Sequence, residues 1–184
     1  PDGKLLYILT DYDSEFMRLV TYDTENEEWN VAYEDEWDVV SASFSHKNRY
    51  FLIRVNEDGV SRVQIEDTQT GENLELPPLP NAEIVPLGFS RSERYLRIWV
   101  SSDNIPGDQY IYDLETYELI KLTNLFDQSQ LKPDMLVKSE LVRYESFDGT
   151  EIPAWIYRPA NLGWGKRAPV VIEVHGGPMA QQKA

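Results

Sequence analysis

The residues best suited to chemistry lie near the end of the sequence, where an apolar run at 169–174 leads into His175, Gly176 and Gly177. The run, PVVIEV, is short and rich in β-branched residues, which predicts a strand buried on both faces of a sheet. Two glycines directly after a strand permit backbone conformations that other residues avoid. The pattern therefore indicates a core strand that delivers a glycine turn to an active site.

Other chemically capable residues do not combine into a site. Residues 34–38, EDEWD, bring together carboxylates that could bind a cation or a peptide amine, although a solvated loop between repeats explains them as well. His46 is predicted to lie in a surface turn, and its different setting from His175 argues against a shared metal site. No Gly-x-Ser-x-Gly motif occurs in the sequence. We therefore expect no metal site, no cofactor and no nucleophilic serine within these residues.

The composition argues against several classes of partner. With 17 basic and 32 acidic residues the net charge is −15, which disfavours nucleic acid and anionic membranes, because both are bound through basic patches. The absence of cysteine excludes disulfides and thiolate metal sites. This fits a cytoplasmic location, with a periplasmic one as the alternative. No apolar run approaches the roughly 18 residues of a membrane span.

An internal repeat organises the sequence up to residue 123. The segments PDGKLLYIL, HKNRYFLIR and RSERYLRIW begin at residues 1, 46 and 91, an offset of 45 residues each time. Each combines a polar turn, a basic residue and an apolar strand, and Ser45 and Ser90 recur before the later copies, which identifies them as turn residues. A second anchor is a strand that ends at an aspartate, whose side chain can accept a bond from a backbone N–H two residues on. These aspartates are Asp23, Asp67 and Asp113.

Each complete repeat predicts four short strands, which is the signature of a β-propeller blade. The predicted strands are 38–44, 49–55, 60–66 and 72–76 in the second repeat, and 83–89, 94–100, 109–113 and 117–121 in the third. About two and a half blades are visible, whereas closed propellers have roughly four to eight. Open blade edges would invite pairing with another chain or a second copy. The sequence is therefore expected to be a fragment, and a β-sandwich with coincidental spacing is the alternative.

After the repeats the pattern changes. Residues 124–139 include polar residues and a proline and lack strand alternation, which indicates a linker, with a long propeller loop as the alternative. A hairpin is predicted around the tight-turn pair Asp148-Gly149. Together with the apolar run, residues 140–184 are interpreted as the first strands of a truncated α/β domain. The predicted fold is thus mainly β, with propeller blades at 1–123, a linker and then these strands.

Several of these features together resemble one family. The degenerate 45-residue blades, the linker, DGTEIPAWIYRP and VVIEVHGGP resemble the prolyl oligopeptidase family of serine peptidases, especially its acylaminoacyl-peptidase and dipeptidyl-peptidase-like branch. The resemblance covers the whole chain and implies an α/β-hydrolase domain whose Ser-Asp-His triad lies further along. It also implies short peptides as substrates, acyl-enzyme chemistry and a propeller that gates entry. The fragment alone is expected to be inactive, and the alternative is a non-enzymatic propeller that binds peptides or partner proteins.

The resemblance also implies roles for the glycine turn. In such hydrolases the loop after the third sheet strand supplies one backbone N–H to the oxyanion hole. On the motif match, Gly177 is the expected donor and Gly176 shapes the turn. The triad histidine comes last in this class, after the serine and the acid, whereas His175 comes before both. We therefore expect His175 to order the turn through a ring hydrogen bond and not to act as the base.

Overall fold

The fold is built from β-strands arranged in consecutive antiparallel sheets. The computed structural model describes residues 3–80, 83–128, 130–163, 165–177 and 180–183. Apart from two 3-10 turns, Phe126–Gln128 and Pro133–Met135, the regular structure of these residues consists of strands. Among them, no helix has the length and apolar character needed to cross a membrane.

Each of the three sequence repeats forms one sheet, and we name these sheets blade 1, blade 2 and blade 3. Blade 1 contains β1 (Leu5–Thr10), β2 (Arg18–Asp23) and β3 (Glu28–Tyr33). Blade 2 contains β4 (Asp38–Phe44), β5 (Tyr50–Glu57), β6 (Val60–Asp67) and β7 (Glu72–Asn73). Blade 3 contains β8 (Glu83–Phe89), β9 (Tyr95–Ser102), β10 (Ile105–Asp113) and β11 (Leu119–Lys121). In each blade the strands lie side by side in chain order.

The predicted four-strand pattern of blades 2 and 3 is confirmed, with two differences at strand ends. Strand β7 ends at Asn73, although Leu74 still donates its N–H to the carbonyl of Ile65 at 2.7 Å. Two prolines, at 77 and 78, then prevent further ladder bonding. Strand β10 begins earlier than predicted, at Ile105, and its first residues pair with β9 around a bulge.

The repeat also fixes the turns. The turn that leads into the second strand of each repeat has a residue with positive φ, and these are Gly3 (78°), Asn48 (62°) and Glu93 (66°). The aspartate that ends the third strand accepts the backbone N–H two residues on, at 2.8, 3.0 and 2.9 Å for Asp23, Asp67 and Asp113. In blades 2 and 3 the same carboxylate also pairs with the repeated arginine, at 3.0 Å for Arg49 and 2.6 Å for Arg94. The two sequence anchors are therefore parts of one structural unit.

The apolar cores lie between blades. The larger core joins blades 2 and 3 and contains Tyr50, Ile65, Leu96, Ile98, Val100, Tyr110 and Tyr112. The smaller core joins blades 1 and 2, where Val39, Ile53 and Val55 pack against Leu9, Tyr33 and Trp37. Successive side chains along a strand point to opposite faces of its sheet, and the two faces of blade 2 pack against blade 1 and blade 3. This is the arrangement expected for twisted sheets that pack face to face.

The last sheet is the predicted hairpin, formed by β12 (Ser139–Glu145) and β13 (Glu151–Tyr157) around the Asp148-Gly149 turn. The prediction of a buried strand at 169–174 is wrong for this structure. No strand is assigned there, and Val171 and Ile172 are 92% and 83% exposed. A strand needs hydrogen-bonding neighbours, and among the described residues β12 and β13 pair only with each other. The boundaries at residues 123 and 139 remain predictions.

Candidate functional site

The predicted glycine turn lies at the end of the exposed segment that begins at residue 169. Gly177 has φ +77°, in the left-handed region that favours glycine, and its carbonyl accepts the N–H of Ala180 at 3.3 Å. A Cβ placed on Gly176 or Gly177 would meet no heavy atom within 4 Å. The turn therefore presents backbone to open space. The roles of His175, Gly176 and Gly177 in an oxyanion hole remain predictions.

The repeated serines are structural, as predicted. The hydroxyl of Ser45 accepts the N–H of Tyr50 at 2.9 Å, and that of Ser90 accepts the N–H of Tyr95 at 3.1 Å. Each serine thus closes the turn between the first and second strands of its blade. His46 is exposed in the first of these turns, as predicted.

Glu93 is a buried carboxylate that the sequence reasoning missed. It is only 5% exposed, and it accepts the backbone N–H of Lys47 in blade 2 at 2.5 Å. Burial raises the pKa of this carboxyl, but hydrogen bonds from Ser45 and from backbone N–H groups of blade 2 outweigh it and hold the pKa below its ordinary value. Glu93 therefore connects blades 2 and 3. The sequence does mark this residue by its position, because Glu93 lies 45 residues after Asn48 and occupies the same turn position in the next repeat.

The acidic segment 34–38 is held by groups of the fold itself. Asp35 accepts hydrogen bonds from Arg62 at 2.6 Å and from the hydroxyl of Tyr33 at 3.1 Å, and Asp38 accepts the N–H of Met17 at 2.8 Å. Burial raises the pKa of Asp35, yet its donors lower the pKa below the ordinary value. Within the described part of the chain, no group of three or more His, Asp or Glu residues could hold a metal ion. Asp35 and Asp38 of this segment therefore both have hydrogen-bond partners within the fold.

The outer face of blade 1 carries an open cleft of about 670 Å³. Its lining includes Ile8, Thr10 and the exposed Trp29. The residues 45 positions later than Ile8 and Thr10 are Ile53 and Val55, which are 5% and 2% exposed because they pack against blade 1. The cleft therefore lies on the face of blade 1 that corresponds to the blade-packing face of blade 2.

The chain is similar to peptidases of known family. The family model for the N-terminal β-propeller domain of prolyl oligopeptidase matches residues 1–124. Dipeptidyl peptidase 4 from Bos taurus is 20% identical in an alignment 189 positions long, which covers 98% of this chain and 25% of that protein.

Solved structures show the same fold. A prolyl endopeptidase has a TM-score of 0.68 at 19% identity, and the match covers 89% of this chain and 24% of the endopeptidase chain. It is one of two such enzymes analysed for the role of inter-domain dynamics in catalysis and specificity. Dipeptidyl peptidase 4 from Porphyromonas gingivalis has a TM-score of 0.65 at 17% identity, covering 89% of this chain and 23% of its own. Prolyl oligopeptidase B from Galerina marginata, bound to a 35mer substrate, has a TM-score of 0.65 at 22% identity, covering 86% and 22%. The chain thus spans about a quarter of the length of the proteins it matches.

Proposed function

The chain belongs to the prolyl oligopeptidase family, and we propose that it is part of a serine peptidase that hydrolyses short peptides through an acyl-enzyme. The observation that carries the proposal is the order of features in one chain. The family's propeller domain at residues 1–124 is followed by the hairpin β12–β13 and then by the glycine turn at 175–177. The prolyl endopeptidase and dipeptidyl peptidase relatives support a peptide substrate.

The proposed contribution of this chain to catalysis is one half of an oxyanion hole. Acyl transfer places negative charge on the carbonyl oxygen, and preorganised backbone N–H groups stabilise that charge without rearranging. We assign the donor role to the N–H of Gly177 and the shaping of the turn to Gly176. The open space beside both glycines leaves room for a substrate carbonyl. His175 is proposed to order the turn, and the serine, aspartate and histidine of the triad are proposed to lie outside these residues.

The proposed role of the blades is to restrict access to the site. A propeller that covers the active site admits short or unfolded peptides and excludes folded proteins. In this proposal the acidic surface, with a net charge of −15, would disfavour acidic substrates by like-charge repulsion.

The 184-residue chain alone should be inactive, because no nucleophile elbow is present in its sequence. The test has two parts. First, the chain is assayed with short peptide and ester substrates, and turnover above background would contradict the proposal. Second, the reading frame beyond residue 184 is sequenced and its full product is treated with a fluorophosphonate. A Gly-x-Ser-x-Gly motif and a labelled serine are expected, and their absence would leave a propeller that only binds.

The role of the glycine turn can be tested in that full-length product by Gly177→Ala. At φ +77° an alanine is strained by about 1–3 kcal/mol, so the turn should shift and its N–H should leave the carbonyl oxygen. Loss of one such donor lowers kcat by roughly 10²–10³ in other enzymes, and we expect a fall approaching that range.

The matched control is Gly149→Ala. Gly149 lies in the β12–β13 turn at φ +84° and also has nothing within 4 Å of an added Cβ, so the backbone strain is similar. This control should lose stability without a comparable fall in kcat. Equal kcat in the two variants would remove Gly177 from the proposed oxyanion hole while leaving the peptidase assignment intact.

A further inference from the structure

The turns between the second and third strands of the three repeats each contain an aspartate. These residues are Asp13, Asp58 and Asp103, and they are 45 residues apart. They lie between β1 and β2, between β5 and β6, and between β9 and β10. Adjacent blades therefore present carboxylates at the same end of the propeller. We call this set the turn aspartates.

Asp103 holds the open end of the β12–β13 hairpin. One carboxylate oxygen accepts the N–H of Ser139 at 2.9 Å, and the other accepts the hydroxyl of Tyr157 at 2.6 Å. Ser139 and Tyr157 are directly opposite each other in the hairpin register. A single side chain of blade 3 thus contacts both strands of the hairpin.

The electrostatics of this contact favour an ionised Asp103. Burial raises the pKa of Asp103, but hydrogen bonds from Ser139 and Tyr157 outweigh it, so the pKa lies below its ordinary value. Burial and the adjacent Asp103 carboxylate raise the pKa of Tyr157 to about 12, and Glu173 adds to this. At neutral pH a neutral phenol therefore donates to a charged carboxylate, which is one of the stronger kinds of hydrogen bond.

Asp58 makes a second contact with the hairpin in blade 2. It forms an ion pair with Arg143 of β12, which also pairs with Glu151 of β13 at 3.2 Å. Nearby, Asn56 of the same blade donates to the side-chain carbonyl of Gln181 at 2.7 Å. The hairpin and the residues that follow the glycine turn are thus both attached to blade 2 through polar groups.

The attachment of the hairpin differs in kind from the packing of the blades. In the described residues, neither apolar core includes a residue of β12 or β13. The blades are joined by buried aliphatic and aromatic side chains, whereas the hairpin is joined by a few charged and hydrogen-bonded pairs. Polar interfaces of this kind normally permit relative motion.

We propose that Asp58 and Asp103 form a two-point polar latch that holds the β12–β13 hairpin on blades 2 and 3 and releases it without unfolding the blades. Asp13 occupies the same repeat position in blade 1 but is exposed and has no side-chain hydrogen bond or ion pair among the described residues. The latch does not depend on peptidase activity, so its test is independent of the proposed function.

The experiment is hydrogen–deuterium exchange of the 184-residue chain, followed by mass spectrometry. The variants are Asp58→Asn, Asp103→Ala and the double variant, with Asp13→Asn as the matched control for Asp58→Asn. Asp13 and Asp58 have positive φ, at 54° and 50°, and asparagine tolerates this conformation whereas alanine would strain the turn. An isolated two-stranded hairpin is marginally stable, so a released hairpin should lose its protection. We expect exchange at 139–157 to rise by about tenfold in each single variant and further in the double variant, since hydrogen bonds to charged groups contribute enough to shift an equilibrium by that factor.

Exchange in β5, β6, β9 and β10 should stay at the wild-type level in every variant. In the control variant, exchange at 139–157 should also stay at the wild-type level. Unchanged exchange in the hairpin of the double variant would overturn the latch, as would an equal rise in Asp13→Asn. A simultaneous rise in the blades would show that hairpin and blades unfold as one unit, which also contradicts the proposal. Raising the salt concentration of the wild-type chain to 1 M gives a second measurement without any substitution, because the Debye length then falls to about 3 Å. It should accelerate exchange in the hairpin and not in the blades.

Discussion

Strand β9 and the segment at 169–174 have similar apolar sequences and opposite environments. Leu96, Ile98 and Val100 of β9 are fully buried, at 0% exposure each, whereas Val171 in the later segment is 92% exposed. Strand β9 lies between β8 and β10 and is covered by blade 2. The later segment has no paired strand among the described residues. Burial is therefore decided by the neighbours that a segment meets, and the apolar sequence provides only the capacity for it.

The comparison can be tested most directly by truncating one side chain in each region. Leu96→Ala should lower the free energy of unfolding by about 2–5 kcal/mol, because it removes buried methyl groups and leaves a cavity between blades 2 and 3. Val171→Ala should change it by no more than about 0.5 kcal/mol, as is usual for exposed positions. Urea denaturation of both variants, followed by circular dichroism, measures the difference.

A loss of more than about 1 kcal/mol in Val171→Ala would contradict the exposed state of that segment in solution. Size-exclusion chromatography at several protein concentrations would then show whether a second copy covers it.

The fold could be predicted because the repeat carries it redundantly. Each blade is marked by a basic residue, an aromatic strand and an aspartate, and in blades 2 and 3 the basic residue and the aspartate form an ion pair. Arg94 and Asp113, for example, are 19 residues apart in sequence and 2.6 Å apart in space. Because the two anchors recur with the same period, they constrain where the strands between them begin and end.

The contacts between units could not be predicted in the same way. Glu93 accepts the N–H of Lys47, 46 residues earlier, and this requires the packing geometry of two blades. The turn aspartates share a visible period, but which of them finds a donor depends on where the hairpin lies. The segment at 169–174 shows the opposite error, because its composition predicts a buried strand whose neighbours the described residues do not provide.

The contact between blades 2 and 3, which buries β9, also includes the hydrogen bond from the N–H of Lys47 to Glu93, and Glu93→Ala removes this bond. The substitution leaves the N–H of Lys47 without its acceptor in a partly buried position. An unsatisfied buried polar group costs about 1–3 kcal/mol, so the loss should be smaller than that of Leu96→Ala. Glu93→Gln keeps an acceptor oxygen and should lose less. Glu118→Ala, at an exposed position of the same blade, is the control and should be close to neutral. Equal urea midpoints for Glu93→Ala and Glu118→Ala would show that this carboxylate does not join the blades.

The smallest effect is expected within blade 3, at the ion pair that closes the turn beyond β10. The hydrogen bond from Arg94, aided by backbone N–H groups of Glu115 and Thr116, lowers the pKa of Asp113 from 3.8 to about 2. A carboxyl whose pKa is lower in the folded state stabilises the fold fully above its unfolded pKa, and this contribution disappears as the pH falls through the folded pKa. Asp113→Asn should therefore be less stable than wild type at pH 6, and the difference should shrink between about pH 4 and pH 2. Asp13→Asn removes the same charge from an exposed position and controls for the change in net charge. Urea midpoints measured across this pH range test the prediction. If the difference in midpoint between Asp113→Asn and wild type stayed constant, the ion pair would contribute no stability that depends on ionisation of Asp113, and the prediction would be wrong.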